Sequence, residues 1–226
     1  MERSGLINLN DLIGSATDIN KSNEPMTRRE KSKAEKLQQI RSAALLVFLE
    51  KGYHKAAISD ILRYTNLARG TFYLYYQDKS QIFDDLLADL YKDITLSLGQ
   101  LEIENQKSKK AFYEQLKNLA RTLLDVFRRH EKLVIILVSS SIGRDSVFDR
   151  RVEGFYEILT EVIRVLASRG IESGYLKPHN TLLLSRLLIG GLKEFIFQWL
   201  VKKRYTDDLE AEIESIVFIF MKGVEQ

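Results

Sequence analysis

Apolar side chains along this sequence return every three or four positions, the spacing of one helical face, and no segment sustains the alternation of a strand. From Lys79, the residues Ile82, Phe83, Leu86, Leu87, Leu90, Ile94, Leu98 and Leu101 make one long stripe, with Asp78 as its N-cap and Gln81 three residues on. Leu37, Ile40, Ala44 and Val47 make an earlier stripe, on a helix predicted from about Ser32 to Lys51. Two capping boxes compete for its start, Ser32-Lys-Ala-Glu35 and the earlier Thr27-Arg-Arg-Glu30, and Gly52 supplies the left-handed stop. Further helices are predicted at about Lys110–Arg129, Glu131–Ser140, Ser146–Arg169, His179–Arg204 and Asp207–Lys222, punctuated by Gly143, Gly170, Gly174 and Pro178. The chain reads as all-α, without repeats.

Between the first stripe and the long one lies a different pattern. Ile58, Ile61 and Leu62 fall at i, i+3 and i+4, and Phe72 and Tyr76 repeat at i+4. Two helices are predicted, at about Ile58–Thr65 and Arg69–Tyr75, each too short to be stable alone. Leu67 fills the space between them, and Asn66 sits in the turn, where asparagine tolerates the left-handed backbone. Two short helices held at a fixed angle make a helix-turn-helix spanning residues 57–76. With Phe72 and Tyr76 inward, a rotation of about 100° per residue turns Gly70, Thr71 and Leu74 outward, with Tyr73 and Tyr75 on the shoulders and Arg69 opening the helix.

Such a face suits the major groove of double-stranded DNA. Gly70 lets the backbone approach the duplex, Thr71 can bond a base edge, and Leu74 can touch a thymine methyl. The tyrosine hydroxyls can bond phosphates. Lys79 places a cation in the first turn of a helix, against the dipole, at a cost of about 0.3–1 kcal/mol. A DNA phosphate bound there offsets that cost. The plainer readings are a protein contact for Leu74 and the tyrosines, and a solvated helix end for Lys79.

Charge sharpens the picture once it is divided. Residues 28–79 carry 11 Lys and Arg against 5 Asp and Glu, a net of +6, while the remainder carries 23 against 26. A basic module on a slightly acidic body is what a phosphate-binding element should show. Cysteine is absent, which excludes disulfides, thiolate zinc sites and a cysteine nucleophile. No apolar run approaches the roughly 18 residues of a membrane span, and residues 1–27 read as a polar tail without a signal peptide. Leu6, Leu9, Leu12, Ile13, Ala16 and Ile19 do follow a helical spacing inside that tail. A cytoplasmic protein is expected.

The segments Ile40-Arg-Ser-Ala-Ala-Leu-Leu-Val-Phe-Leu-Glu-Lys-Gly-Tyr53, Ile58-Ser-Asp-Ile61 and Ala68-Arg-Gly-Thr-Phe-Tyr-Leu-Tyr-Tyr-Gln-Asp-Lys79 resemble the DNA-binding domain of the TetR family of transcriptional regulators. The resemblance covers about residues 33–93. It implies a tail over 1–32, an N-terminal three-helix helix-turn-helix domain over 33–93, and a C-terminal helical ligand-binding and dimerisation domain over 94–226. It further implies a homodimer that binds operator DNA and is released by a small apolar or amphipathic effector. Carried over by motif, the DNA contacts fall on Ala57, Ser59, Arg69, Gly70, Thr71, Tyr73, Tyr75 and Lys79. The sequence departs from the family pattern at Ala57, where threonine is frequent, at Thr65-Asn66 in place of Ala-Gly, at Ala68, where a polar cap is usual, and at Tyr75.

In the body, Phe112, Leu116, Leu123 and Phe127, with Phe155, Tyr156 and Leu159, are candidates to line a ligand cavity or to form core. Leu184, Leu188, Phe195, Trp199, Ile213, Ile216, Val217 and Phe220 are candidates for a four-helix dimer interface or for the intrachain core, and Gly190-Gly191 permits close helix approach. Arg186 can meet an acidic group or snorkel to the surface. His54, His130 and His179 are far apart in sequence and belong to no nucleophile, metal or phosphate-loop motif, so an enzyme is not expected, and no cofactor or metal is implied. The rival reading is an all-α protein-interaction module without operator binding.

Overall fold

A capping box at Thr27 starts the first helix, α1 (Arg28–Lys51), upstream of the Ser32 box. The Glu30 amide donates to Thr27 Oγ1 at 3.3 Å and the Thr27 amide to Glu30 Oε2 at 2.8 Å. Ser32, and the tail boundary drawn at it, fall inside the helix, because the earlier box satisfies the first-turn donors before the chain reaches Ser32. The computed structural model describes residues 27–99, 108–140, 146–204 and 208–224. The helical spacing between Leu6 and Ile19, together with Leu101, Gly143 and Asp207, lies outside them.

Gly52 closes α1 at φ +76°, and two short helices follow, α2 (Ile58–Arg63) and α3 (Arg69–Tyr73). The long helix α4 (Lys79–Gly99) is capped as its sequence implies, with the Gln81 amide donating to Asp78 Oδ1 at 2.9 Å. Its stripe is the spine of the molecule. Ile82, Phe83, Leu86, Leu87, Leu90, Ile94 and Leu98 are all buried. At about 1.5–3 kcal/mol for each large apolar side chain removed from water, this one face outweighs any cap or surface ion pair. It packs against α1 and against α5 (Lys109–Arg129), the first helix of the body, and runs unbroken across position 93.

The body continues with α6 (Glu131–Ser139), α7 (Ser146–Glu172), α8 (Thr181–Ile196) and α9 (Leu209–Val224). α6 rests on α1, α7 pairs with α8, and α9 lies against α5. There is no β-strand among the described residues. The predicted helix from His179 starts instead at Thr181, because the Asn180 side chain accepts the Leu183 amide at 3.1 Å. At its far end α8 widens into a π turn, Phe197–Val201, which carries the buried Trp199. The Arg128 guanidinium of α5 lies 5.6 Å above that ring.

Gly170 does not end α7, which continues to Glu172 before Gly174 turns the chain at φ +72°. A β-carbon at Gly170 would stand 2.7 Å from Leu176 Cδ1 and 2.9 Å from Phe112 Cζ. Its role is close packing rather than punctuation.

Candidate nucleic-acid interface and apolar cavity

The helix-turn-helix is built inward first. Ile61 and Phe72 are wholly buried and Tyr76 nearly so, which fixes one face of each short helix in the core. Tyr76 is locked by its hydroxyl, which donates to Asp85 Oδ2 at 2.8 Å. Burial, reinforced by that carboxylate, pushes the phenol far above its ordinary pKa, so it remains a donor. Thr65 is buried in the turn, where its hydroxyl donates to the Leu62 carbonyl at 3.2 Å and accepts the Leu67 amide at 3.4 Å. Leu67 is half-buried against the core.

What remains outside follows from that anchoring. Leu74 is 81% exposed, Arg69 and Gly70 are exposed, and Thr71 is half-exposed beside them. A β-carbon at Gly70 would meet no atom of the described residues within 4 Å. Tyr73 stands out at 44%, edge-on to Phe72, with the Arg69 guanidinium 5.8 Å from its ring. Tyr75 is half-buried against the core. Ala57 and Ser59, at the start of α2, share the exposed surface.

Ala57 has no side-chain cap to offer, and Asp60 substitutes for it. Asp60 Oδ2 accepts the Ala57 amide at 3.2 Å, while Oδ1 accepts from Lys51 Nζ at 2.6 Å. The Lys51 bond first, then the Ala57 amide, holds this carboxyl below its ordinary pKa. The missing threonine therefore leaves α2 capped, but without the hydroxyl that would reach a phosphate.

Lys79 departs from its sequence reading. Its ammonium does not stand out to meet a phosphate. It donates to three backbone carbonyls of the α1–α2 loop: Tyr53 at 2.7 Å, His54 at 3.0 Å and Ala56 at 3.0 Å. The same nitrogen lies 4.7 Å from the Tyr53 ring centroid. An ammonium has three N–H donors, and three carbonyls take them. The residue ties the loop before α2 to the first turn of α4, and the cost of a cation at a helix N-terminus is met by these bonds.

The body holds a cavity of about 540 Å³. One wall is α5, through Phe112, Leu116, Leu123 and Phe127, four of the seven residues expected there. Phe155, Tyr156 and Leu159 are not in the lining. They sit on the same side of α7 but nearer its start, with Phe155 packed on Tyr91 and Phe127, and the Tyr156 hydroxyl donating to the Leu137 carbonyl at 3.4 Å. Burial raises the Tyr156 pKa to about 12. The α7 wall is instead Ile163, Leu166 and Ala167, an i, i+3, i+4 set that periodicity alone could have supplied.

The opposite wall is made by residues that are also candidates for a dimer interface. Leu184, Leu188, Phe195, Ile216 and Phe220 line the cavity, as do the buried Ile213 and Val217, while Trp199 is buried against the body. The exposed apolar residues of these helices are Leu183 (57%), Leu187 (67%), Phe218 (52%) and Ile219 (70%), and of these Leu187 and Ile219 also belong to the cavity lining, with Gly191 beside them. A β-carbon at Gly190 or Gly191 would meet no atom within 4 Å among the described residues. Arg186 is exposed. α9 is fastened to α5 by Arg121, whose Nε donates to Glu210 Oε1 at 2.6 Å, and by Lys117 with Glu214 at 3.6 Å.

The histidines are held apart. His54 meets Phe148 edge-on, and His130 Nε2 lies 2.9 Å from Asp93 Oδ2. Among the described residues no group of three or more His, Cys, Asp or Glu is placed to hold a metal ion, and no helix is long and apolar enough to cross a membrane.

Residues 40–86 match the family model described as bacterial regulatory proteins, tetR family. The fatty acid metabolism regulator protein of Bacillus subtilis is 27% identical over 200 residues, which cover 86% of this chain and 98% of that one. A solved structure from Syntrophomonas wolfei, described as a TetR-family transcriptional regulator, superposes with a TM-score of 0.67 at 28% identity, covering 84% of this chain and 94% of that one. The regulator FadR from Bacillus subtilis, solved in complex with stearoyl-CoA, shares the fold with a TM-score of 0.66 at 20% identity, over 83% of this chain and 99% of that one.

Proposed function

The chain belongs to the TetR family of bacterial regulatory proteins, and on that premise we propose a cytoplasmic repressor that binds a palindromic operator as a homodimer and leaves it when a small molecule fills its body. It is a DNA-binding transcriptional regulator rather than an enzyme or a bare interaction module. The observation that carries the reading is the short helix α3, anchored by Phe72 with its polar and glycine positions outward. Arg69, Gly70, Thr71 and Tyr73 meet the groove, with Ser59, Ala57 and Tyr75 at its edge. Lys79 acts on DNA by holding the loop before α2 in place, not by its charge.

One recognition helix reads too few bases for specificity, so two copies related by a two-fold axis are needed, about 34–36 Å apart or at a longer spacing. The apolar face Leu183, Leu187, Phe218 and Ile219, with the glycine notch at 190–191 beside it, is what a second copy would cover.

The effector is an apolar or amphipathic molecule with a long hydrocarbon part. A cavity of about 540 Å³ falls in the range of roughly 300–1,000 Å³ usual for ligand sites, and its named walls are aliphatic and phenylalanine side chains. The relative that binds stearoyl-CoA supports a fatty acyl thioester as the first compound to try. Shifting the protein from mostly competent to mostly incompetent requires about 5.5 kcal/mol of preference. At about 0.8 kcal/mol per buried methylene, some seven methylenes buried in one state only are enough. The test is fluorescence anisotropy on labelled DNA from upstream of its own gene, titrated with protein and then with stearoyl-CoA. Binding to this DNA over scrambled DNA, lost on addition of the thioester, is the expected result. Equal affinity for both DNAs would overturn the operator reading.

A further inference from the structure

We propose that Phe148, in the first turn of α7, is the positioning residue through which occupancy of the cavity reaches the DNA-reading helices. The inference rests on the effector reading above and adds the residue that transmits it.

α7 is a single helix from Ser146 to Glu172, and it touches both sites. Its later turns give the cavity Ile163, Leu166 and Ala167. About 22 Å away along the helix, fifteen residues back at about 1.5 Å each, Phe148 is 1% exposed inside the DNA-binding module. Its ring stacks on Tyr53 at 4.2 Å and 20°, tilts against Phe83 at 5.0 Å, and receives the edge of His54 at 5.2 Å. One turn on, Arg151 reaches the same module, with Nη2 donating to Asp84 Oδ2 at 2.6 Å.

The partners of Phe148 give the contact its meaning. Tyr53 and His54 are the loop residues whose carbonyls take the Lys79 ammonium. Lys79 begins α4, three residues beyond Tyr76, the inner anchor that follows α3. A ring stacked face to face in a packed interior cannot slide without displacing its partner. Tilting α7 to admit a ligand therefore moves Phe148, then the Tyr53–His54 loop, then the clamp that sets α2 and α3 relative to α4. The body also meets α4 where Phe155 packs on Tyr91 and His130 meets Asp93. Those links lie twelve and fourteen residues from Lys79, far along α4, and can tilt the helix without addressing the loop.

A double-mutant cycle on operator affinity tests this without knowing the natural effector. Ala167→Leu, on the cavity wall of α7, and Ala120→Leu, on the wall of α5, fill the cavity in place of a ligand. Each is combined with Phe148→Leu, which keeps the site apolar and removes the stacked ring, and circular dichroism checks the helical content of every variant. In the native background filling should weaken operator binding by about tenfold or more, within the span of allosteric couplings. With Phe148→Leu the same filling should change it by no more than about twofold, the tolerance of independent sites. Stearoyl-CoA added to the native protein and to Phe148→Leu should follow the same pattern, while its affinity for either protein without DNA stays equal. An equal loss on filling in both backgrounds overturns the role of Phe148 and leaves the effector reading standing. No loss in the native background, with either filled wall or with stearoyl-CoA, overturns the effector reading and the proposal with it.

Discussion

The ammonium nitrogen of Lys79 lies 2.7 Å from the carbonyl oxygen of Tyr53, and the carbonyls of His54 and Ala56 complete its set of acceptors. A cation so placed is a structural tie across 26 residues of chain. Lys79→Met should lower the stability of the protein by about 2 kcal/mol, the worth of hydrogen bonds to a charged group at a partly exposed site. The slope of operator affinity against salt should hardly change, where loss of a phosphate ligand would reduce it by about 0.9. Thermal melts and a salt titration decide between the two, and an unaltered melt with a reduced slope would restore the phosphate role.

Gly70→Val should leave the fold intact and abolish specific binding. Among the described residues the added side chain enters open space, since a β-carbon there meets no atom of theirs within 4 Å, and valine in a helix costs no more than glycine. It stands where the duplex must approach. An unchanged melting curve beside a lost gel shift is the expected pair of results, and retained operator binding would show that another face of α3 meets DNA.

The helix-turn-helix was legible because everything that fixes it is short-range. Phe72 and Tyr76 repeat at i+4, so the buried phase of α3 and the exposure of Gly70 and Leu74 follow from counting. The direction of Lys79 does not follow from counting, because its partners are carbonyls set by the path of a loop more than twenty residues away. α8 defeats periodicity in another way. It exposes Leu183 and Leu187 while Leu184, Leu187 and Leu188 all line the cavity, so an apolar pattern nearly all round the helix has no single phase. Seven of the eight candidate dimer residues therefore also line the cavity. Gly170 read as punctuation because its packing against Phe112 and Leu176 is long-range information.

Leu187→Glu, alone or with Ile219→Glu, should turn a dimer into a monomer. Both residues are well exposed in the single chain, so the carboxylates meet water and the fold is spared. In a dimer the same charges would be buried without partners, at a cost of several kcal/mol. Sedimentation velocity at micromolar concentration reads the change, and operator affinity should fall with it. A variant that remains dimeric would move the interface elsewhere.

Gly170→Ala should weaken effector binding. The new methyl would stand 2.9 Å from Phe112 Cζ and 2.7 Å from Leu176 Cδ1, and both are cavity-lining side chains that must give way. Overpacking of this kind costs about 1–3 kcal/mol, against about 1 kcal/mol gained in helix propensity. Acyl thioester titration by calorimetry should show lower affinity with operator binding retained in the absence of effector; an unchanged affinity would place the ligand away from this end of the cavity.

Asp60→Asn should destabilise the protein at pH 7 and matter less in acid. The carboxyl is held below its ordinary pKa of 3.8 by Lys51 and the Ala57 amide, so its contribution is complete above that value and is lost as pH falls through the lower folded value. Melting curves of both proteins at pH 7 and near pH 3 should converge at the acid end, and a constant gap would show that Asp60 acts through shape rather than charge.

The π turn at the end of α8 leaves the protein with a built-in optical gauge. Trp199 is the single tryptophan of the sequence, it is buried, and the Arg128 guanidinium over its ring belongs to the residue that follows Phe127 of the cavity wall. Excited beyond the absorption of its ten tyrosines, an unlabelled sample therefore emits from one ring, beside one wall of the cavity. Any displacement of α5 against the π turn alters the polarity and the charge that this indole senses, so the same cuvette can follow filling of the body and release of DNA without a dye on either.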